Sequence, residues 1–130
     1  PRLDDELLIG CQNGGMTYLP GVISVLAAQA AQQKGCGSIR LRTGGPGGSD
    51  YVRAIRQVQP DLGLIVETEL NPAEVYSYRQ AGAAALVIGA PLFTGHNQTM
   101  ADLIAQARIF TQAWQDGGSW QEKRAQNGRY

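Results

Sequence analysis

Residues 62–93 read LGLIVETELNPAEVYSYRQAGAAALVIGAPLF and contain two short apolar runs separated by a helical pattern. The first run, residues 64–66, has the composition of a strand buried on both faces. Asn71 and Pro72 predict a helix N-cap followed by a proline in the first turn, and Gly82 predicts the helix end. The second run, residues 84–88, ends at Gly89. Because a helical crossover joins parallel strands, this stretch predicts one β-α-β unit.

The alternation of strand and helix patterns continues outward from this unit in both directions. Further strands are predicted at residues 7–11 and 38–42, and further helices at residues 21–34, 50–59 and 100–114. The sequence therefore predicts an α/β fold of four βα units with parallel strands over residues 1–115, which resembles half of a TIM barrel. An open, flavodoxin-like doubly wound sheet is the alternative. Residues 116–130 are predicted to be a polar C-terminal tail.

Composition and charge narrow the range of partners. The chain has 130 residues, with 11 basic and 11 acidic side chains, so no net field attracts nucleic acid or a membrane surface. We found no apolar run near the roughly 20 residues that cross a bilayer. Cys11 and Cys36 are predicted to be free thiols, which favours a cytoplasmic location. With His96 as the one histidine, no metal site and no cofactor are predicted.

Arg40 and Arg42 lie two residues apart in a predicted strand, which places both on one face of the sheet. A buried guanidinium requires an anionic partner. A phosphate or carboxylate of a ligand would satisfy both arginines, since the guanidinium fork fits either group. The alternative is an internal salt bridge to Glu67 or Glu69 on the neighbouring strand.

Glu67 and Glu69 follow a buried strand and are the candidate catalytic residues, as a general acid and a general base. The alternative is a pair of solvated carboxylates without a catalytic role.

The glycine-rich loop TGGPGGS at residues 43–49 is a candidate phosphate site. Gly44, Gly45, Gly47 and Gly48 would expose backbone N–H groups just before a helix N-terminus, where phosphate binds well. The loop lacks the Gly-Lys-Ser/Thr of a Walker motif and the spacing of a dinucleotide fingerprint. A flexible surface loop is the alternative.

Two segments carry a resemblance to a known family. LLIGCQ with AAQAAQQKGCGSIRLR is similar to the opening of N-acetylmannosamine-6-phosphate 2-epimerases, and LIVETELNPAEVYSYRQAGAAALVIGAPLF is similar to the closing part of that family and of the wider ribulose-phosphate-binding barrels. The resemblance implies that Gln12 and Arg40 face substrate, that Glu67 corresponds to a glutamate of the penultimate strand, and that the Gly89 backbone approaches phosphate. The family's catalytic lysine has no counterpart, because the two lysines, Lys34 and Lys123, lie outside every predicted strand.

These observations lead to two hypotheses about function. The first is a sugar-phosphate isomerase or epimerase that transfers a proton next to a carbonyl, with a small phosphorylated metabolite as ligand. The second is a non-catalytic binding or interaction protein with the same fold. In either case we expect a homodimer, because a half-barrel exposes two sheet edges and one sheet face.

Overall fold

A computed structural model describes residues 3–42 and 48–117. In these two segments four strands form one parallel sheet in the order β1-β2-β3-β4. The elements are α1 (Asp5–Asn13), β1 (Gly21–Val22), α2 (Val25–Gln33), β2 (Ser38–Arg42), α3 (Gly48–Val58), β3 (Gly63–Glu67), α4 (Pro72–Ala81), β4 (Ala85–Val87) and α5 (Met100–Asp116), with a short 3-10 turn at Ala90–Leu92.

The strand order decides between the two predicted architectures. Strands that follow one another in sequence and in space, joined by right-handed crossovers, place their connecting helices on one face of the sheet. The structure is therefore the predicted half-barrel, and the doubly wound alternative, which needs a reversal of strand order and helices on both faces, is wrong.

Burial alternates along the central strands as this arrangement requires. Ile39 and Leu41 of β2, and Leu64 and Val66 of β3, are fully buried against the helices. The helices complete this core with residues from α2, α3, α4 and α5, namely Ala28, Ala31, Val52, Ile55, Val75, Tyr78 and Phe110. The opposite sheet face, which includes the half-buried Ile65, corresponds to the inside of a barrel and carries no helix among the described elements.

The predicted first strand is wrong. Residues 7–11 belong to α1, whose N-cap is Asp4 and whose first turn contains Asp5 and Glu6. Acidic residues beside a helix N-terminus stabilise it, and along α1 the buried side chain is Leu8, as in a helix lying on a surface. The true first strand, β1, falls where the helix of residues 21–34 was predicted to begin, and Ser24 caps α2 only after it.

The central unit agrees with its prediction. The Asn71 side chain accepts hydrogen bonds from the backbone N–H groups of Ala73 and Glu74, and the Glu74 carboxylate accepts one from the Asn71 N–H, so a complete capping box begins α4. Gly82 ends the helix with φ of 103°, a left-handed conformation that glycine adopts without strain. β3 and β4 on either side of this helix are parallel.

The structure also describes the two cysteines and the beginning of the predicted C-terminal tail. Cys11 and Cys36 are both free, and burial raises the pKa of the Cys36 thiol, so that thiol stays neutral. Asp116, placed in the predicted tail, is the last residue of α5, and residues 118–130 lie outside the described segments. No helix in the described part of the chain is both long and apolar enough to cross a membrane.

Arg56 on α3 is a buried arginine that the sequence patterns did not indicate. Its guanidinium donates to the carbonyl oxygens of Pro60 at 2.8 Å, Leu62 at 2.7 Å and Gly82 at 2.5 Å. Burial lowers the pKa of Arg56, and the nearby Asp61 carboxylate opposes this shift. One side chain thus ties the end of α3 to the turn before β3 and to the turn after α4.

Replacing Arg56 with Met should destabilise the fold, because the methionine fills part of the space but leaves buried carbonyls without donors. We expect the free energy of unfolding, measured in urea, to fall by about 1.5–3 kcal/mol. Arg53→Met, on the exposed side of the same helix, is the matched control and should change it by about 0.5 kcal/mol or less. Equal effects of the two substitutions would contradict the assigned role of Arg56.

Candidate functional site

A cleft of 1240 Å³ opens at the carboxyl ends of all four strands. In parallel α/β sheets this edge carries the functional groups, because the loops that leave the strands converge there. The described residues that line the cleft come from every strand end and from α3, α4 and the 3-10 turn: Ile23, Arg42, Gly48, Tyr51, Glu67, Thr68, Glu69, Glu74, Tyr78, Val87, Gly89, Ala90 and Pro91.

Arg40 and Glu67 form an ion pair on the open face of the sheet. Arg40 Nε lies 3.1 Å from Glu67 Oε2, and both atoms are buried although about a third of each side chain is exposed. The N–H direction does not satisfy hydrogen-bond geometry, so the contact is ionic. The internal salt bridge, one of the two interpretations of Arg40, is therefore present, and contact of Arg40 with a ligand stays a prediction. One Glu67 oxygen faces Arg40, and the carboxylate as a whole borders the cleft.

Arg42 behaves differently from Arg40. It stands opposite Glu67 in the register of β2 and β3, yet Glu67 pairs with Arg40 instead. Arg42 is exposed, it lines the cleft, and its guanidinium forms no ion pair or hydrogen bond within the described segments. It therefore presents a complete set of donors to any anion in the cleft.

Three carboxylates share the cleft with Arg42. The Glu67 charge is balanced by Arg40, and the Glu74 carboxylate accepts a hydrogen bond from the Asn71 backbone at the start of α4. Glu67 is the last residue of β3, and the exposed Glu69 lies two residues beyond the strand, so both candidate catalytic residues border the cleft. No group of three or more histidine, cysteine, aspartate or glutamate side chains suited to a metal was found in the described residues.

Two tyrosines complete the wall of the cleft, and the sequence analysis assigned neither of them to a site. The Tyr51 hydroxyl donates to the Ile23 carbonyl at 3.1 Å and so holds α3 against the loop after β1. Tyr78 is 7% exposed and packs in the core, but it borders the cleft and lies close to Gly48. Tyr78 and Val75 lie three residues apart on the buried face of α4, and the packing of α4 against α3 places the ring end of Tyr78 at the cleft.

The remaining predicted site residues fall in three groups. Gly48 and Gly89 line the cleft. Gly44, Gly45 and Gly47 lie outside the described residues. Gln12 was expected at the carboxyl end of a strand, but it is near the end of α1, with its side-chain nitrogen beside Gly35 before β2. Since that turn precedes β2, Gln12 lies at the amino edge of the sheet, opposite the cleft, and its predicted placement is wrong.

Comparison with known proteins shows similarity to aldolases. No family model matches the chain. The 2-dehydro-3-deoxy-6-phosphogalactonate aldolase of Escherichia coli is 23% identical over 117 residues, which are 89% of this chain and 57% of the aldolase. The chain thus spans little more than half the length of this curated relative.

Solved structures give the same result for the fold. A native KDPGal structure superposes with a TM-score of 0.78 at 22% identity, over 90% of this chain and 57% of the other. A 4-hydroxy-2-oxoglutarate/2-dehydro-3-deoxyphosphogluconate aldolase gives 0.73 at 21% identity, over 88% and 56%. A designed cube-shaped cage made by fusing symmetric oligomeric domains gives 0.74 at 22% identity, over 98% and 46%.

These similarities correct the resemblance to N-acetylmannosamine-6-phosphate 2-epimerases that the sequence indicated. The relatives are aldolases and not epimerases, so the barrel-type relationship is supported and the epimerase family in particular is not. At this level of identity the structures establish the fold, which is the half-barrel described above.

The Arg40–Glu67 pair should contribute modestly to stability, because both side chains reach solvent. A double-mutant cycle with Arg40→Ala, Glu67→Ala and the double variant should give a coupling energy of about 0.2–1 kcal/mol. A fully buried ion pair would lose more stability when one partner is removed. The coupling should shrink in 1 M salt, where screening is strong. A coupling energy of zero at low salt would contradict the ion pair.

Proposed function

We propose that this chain binds a small phosphorylated sugar acid in the cleft at the carboxyl ends of its strands. The observation that carries the proposal is the Arg42 guanidinium, which lines the cleft without a protein partner in the described segments. A guanidinium placed in this way favours an anionic ligand, because its donors fit phosphate or carboxylate oxygens in pairs. The substrate in the name of the Escherichia coli relative, a phosphorylated sugar acid, belongs to this chemical class.

Proton transfer next to a carbonyl is the chemistry that the cleft residues support. Glu67 is held by Arg40 at the cleft wall and is the candidate to move the proton, while the exposed Glu69 is the second carboxylate within the cleft. Aldol cleavage through a Schiff base would need a lysine amine. Lys34 lies at the end of α2, on the amino side of the sheet, where it pairs with Asp5. No lysine is among the described residues that line the cleft, and Lys123 lies outside the described segments. Arginine does not replace lysine in this chemistry, so we propose an isomerase or epimerase reaction for the described cleft residues rather than Schiff-base aldol cleavage.

A second candidate function is non-catalytic binding of the same class of ligand. It is favoured by the carboxylates of the cleft being engaged elsewhere, Glu67 with Arg40 and Glu74 with the backbone of Asn71. The two functions separate on one measurement. Exchange of the proton next to the ligand carbonyl with deuterium, followed by NMR, should occur with the wild type and stop in Glu67→Gln if the chain is a catalyst, and should be absent from both if it only binds.

Arg42→Gln should weaken ligand binding without weakening the fold, because the arginine has no partner to lose among the described residues. With 2-dehydro-3-deoxy-6-phosphogalactonate as the probe in isothermal titration calorimetry, the dissociation constant should rise about 10- to 100-fold. The urea midpoint should stay at its wild-type value. Arg53→Gln, on the exposed side of α3, is the matched control and should leave binding unchanged. Wild-type chain that fails to bind this probe, or Arg42→Gln that binds it normally, would contradict the proposal.

We further propose that two copies associate through the open sheet face. This face carries the half-buried Ile65 and Ala85 and the exposed Val87, and the edges at β1 and β4 present unpaired backbone groups. Sedimentation should show a dimer at micromolar concentration. Ile65→Glu should shift the chain to monomer, whereas Val58→Glu, at an exposed position of α3, should not. A wild-type monomer at high micromolar concentration would contradict this assembly.

A further inference from the structure

We propose that the Tyr78 hydroxyl and the first turn of α3 form the subsite that takes the phosphoryl group of the ligand. This inference rests on the proposed function and specifies how the ligand lies in the cleft. The phosphoryl end would lie between α3 and α4, and the remainder of the ligand would extend toward the ends of β3 and β4.

Tyr78 is the first of two independent observations. The residue is 7% exposed, so its ring is part of the core, yet it borders the cleft. Its hydroxyl makes no hydrogen bond to any residue of the described chain, whereas the neighbouring Tyr51 hydroxyl is bonded to the Ile23 carbonyl. The ring is buried, but the hydroxyl is not one of the buried unpaired atoms of the described chain, so it is accessible from the cleft. A free hydroxyl at a cleft wall is a donor aimed at a ligand.

The start of α3 is the second observation. The helix begins at Gly48 and runs for 11 residues. The backbone N–H groups of its first turn have no acceptor within the helix, and the positive end of the helix dipole lies at the same place. A Cβ on Gly48 would stand 3.4 Å from the Tyr78 oxygen, which places the hydroxyl beside the helix start. Backbone donors at a helix N-terminus and an added hydroxyl donor are suited to the oxygens of a phosphoryl group.

Side chains of both charges lie around this subsite, and changing one of them gives a second test of phosphate binding. Arg42 lies in the same cleft and attracts an anion. Glu74 lies one helical turn before Tyr78 on α4 and repels one. Since the Glu74 carboxylate is a capping acceptor for the Asn71 N–H, glutamine at this position would keep the cap and remove the charge.

The test uses inorganic phosphate as the probe, with binding followed by amide chemical shifts in NMR. Tyr78→Phe should raise the dissociation constant for phosphate about 10- to 100-fold, the effect of one lost hydrogen bond to a charged group. Glu74→Gln should lower it severalfold by removing a like charge. Tyr76→Phe, at an exposed position of the same helix, is the matched control and should change nothing.

Thermal unfolding separates a ligand role from a structural one. Because the Tyr78 hydroxyl has no partner among the described residues, Tyr78→Phe should keep the wild-type Tm while phosphate binding weakens. Loss of Tm in Tyr78→Phe, or phosphate binding equal to that of wild type, would overturn the subsite.

The same variants distinguish this proposal from the proposed function. If 2-dehydro-3-deoxy-6-phosphogalactonate binds to wild type and to Tyr78→Phe alike, but not to Arg42→Gln, the proposed function stands and this subsite is wrong. If Tyr78→Phe also weakens binding of the phosphorylated probe but not of its dephosphorylated counterpart, the phosphoryl group is placed at Tyr78. If the wild type binds neither phosphate nor the phosphorylated probe, both proposals are overturned.

Discussion

The Arg56 guanidinium is the contact on which the arrangement of α3, β3 and α4 depends. Its hydrogen bonds reach Leu62 just before β3 and Gly82 just after α4, so one buried cation sets where two elements of the central unit begin and end. A buried arginine is costly unless its donors are satisfied; here backbone carbonyls accept from both terminal nitrogens, whereas Nε has no partner among the described residues. Gly82 is needed at the same place, since a Cβ there would lie 2.9 Å from the Arg56 side chain. All of these groups lie at the amino edge of the sheet.

At the carboxyl edge of the sheet, by contrast, several polar groups have no protein partner among the described residues. At the carboxyl ends of the strands the Arg42 guanidinium and the Tyr78 hydroxyl have no partners within the described chain, and the Glu67 carboxylate is only partly engaged. Polar groups left in this way cost stability unless water or a ligand satisfies them. Among the described residues, the fold therefore binds the two terminal nitrogens of Arg56 at one edge of the sheet and keeps the donors of Arg42 and Tyr78 free at the other. This division is the expected one for barrel-type sheets, in which one edge serves stability and the other serves binding.

The similarity to aldolases fits the fold better than it fits the chemistry of the residues present. Those proteins are nearly twice as long as the matched region, and the half-barrel corresponds to 57% of the Escherichia coli relative. In the cleft, arginine and glutamate side chains stand at the ends of β2 and β3, and neither can form a Schiff base with a carbonyl. Anion binding and proton transfer remain within the capacity of these side chains, which is why the proposed function rests on Arg42 and Glu67.

What the sequence determined by itself was local in origin. The buried strand around Val66, the N-cap at Asn71, and the left-handed stop at Gly82 follow from patterns within a few residues, and the structure has all three. The run at residues 7–11 shows the limit, because five apolar-rich residues suit a strand or a surface helix, and the Asp4 cap with its acidic first turn favours the helix.

Only the tertiary structure decided which groups meet. The choice of Arg40 rather than Arg42 as the partner of Glu67 depends on strand register and side-chain direction. The position of Tyr78 beside Gly48 depends on how α4 packs on α3. Neither is encoded in spacing along the chain, because each joins residues from elements that come together only when the sheet and its helices assemble.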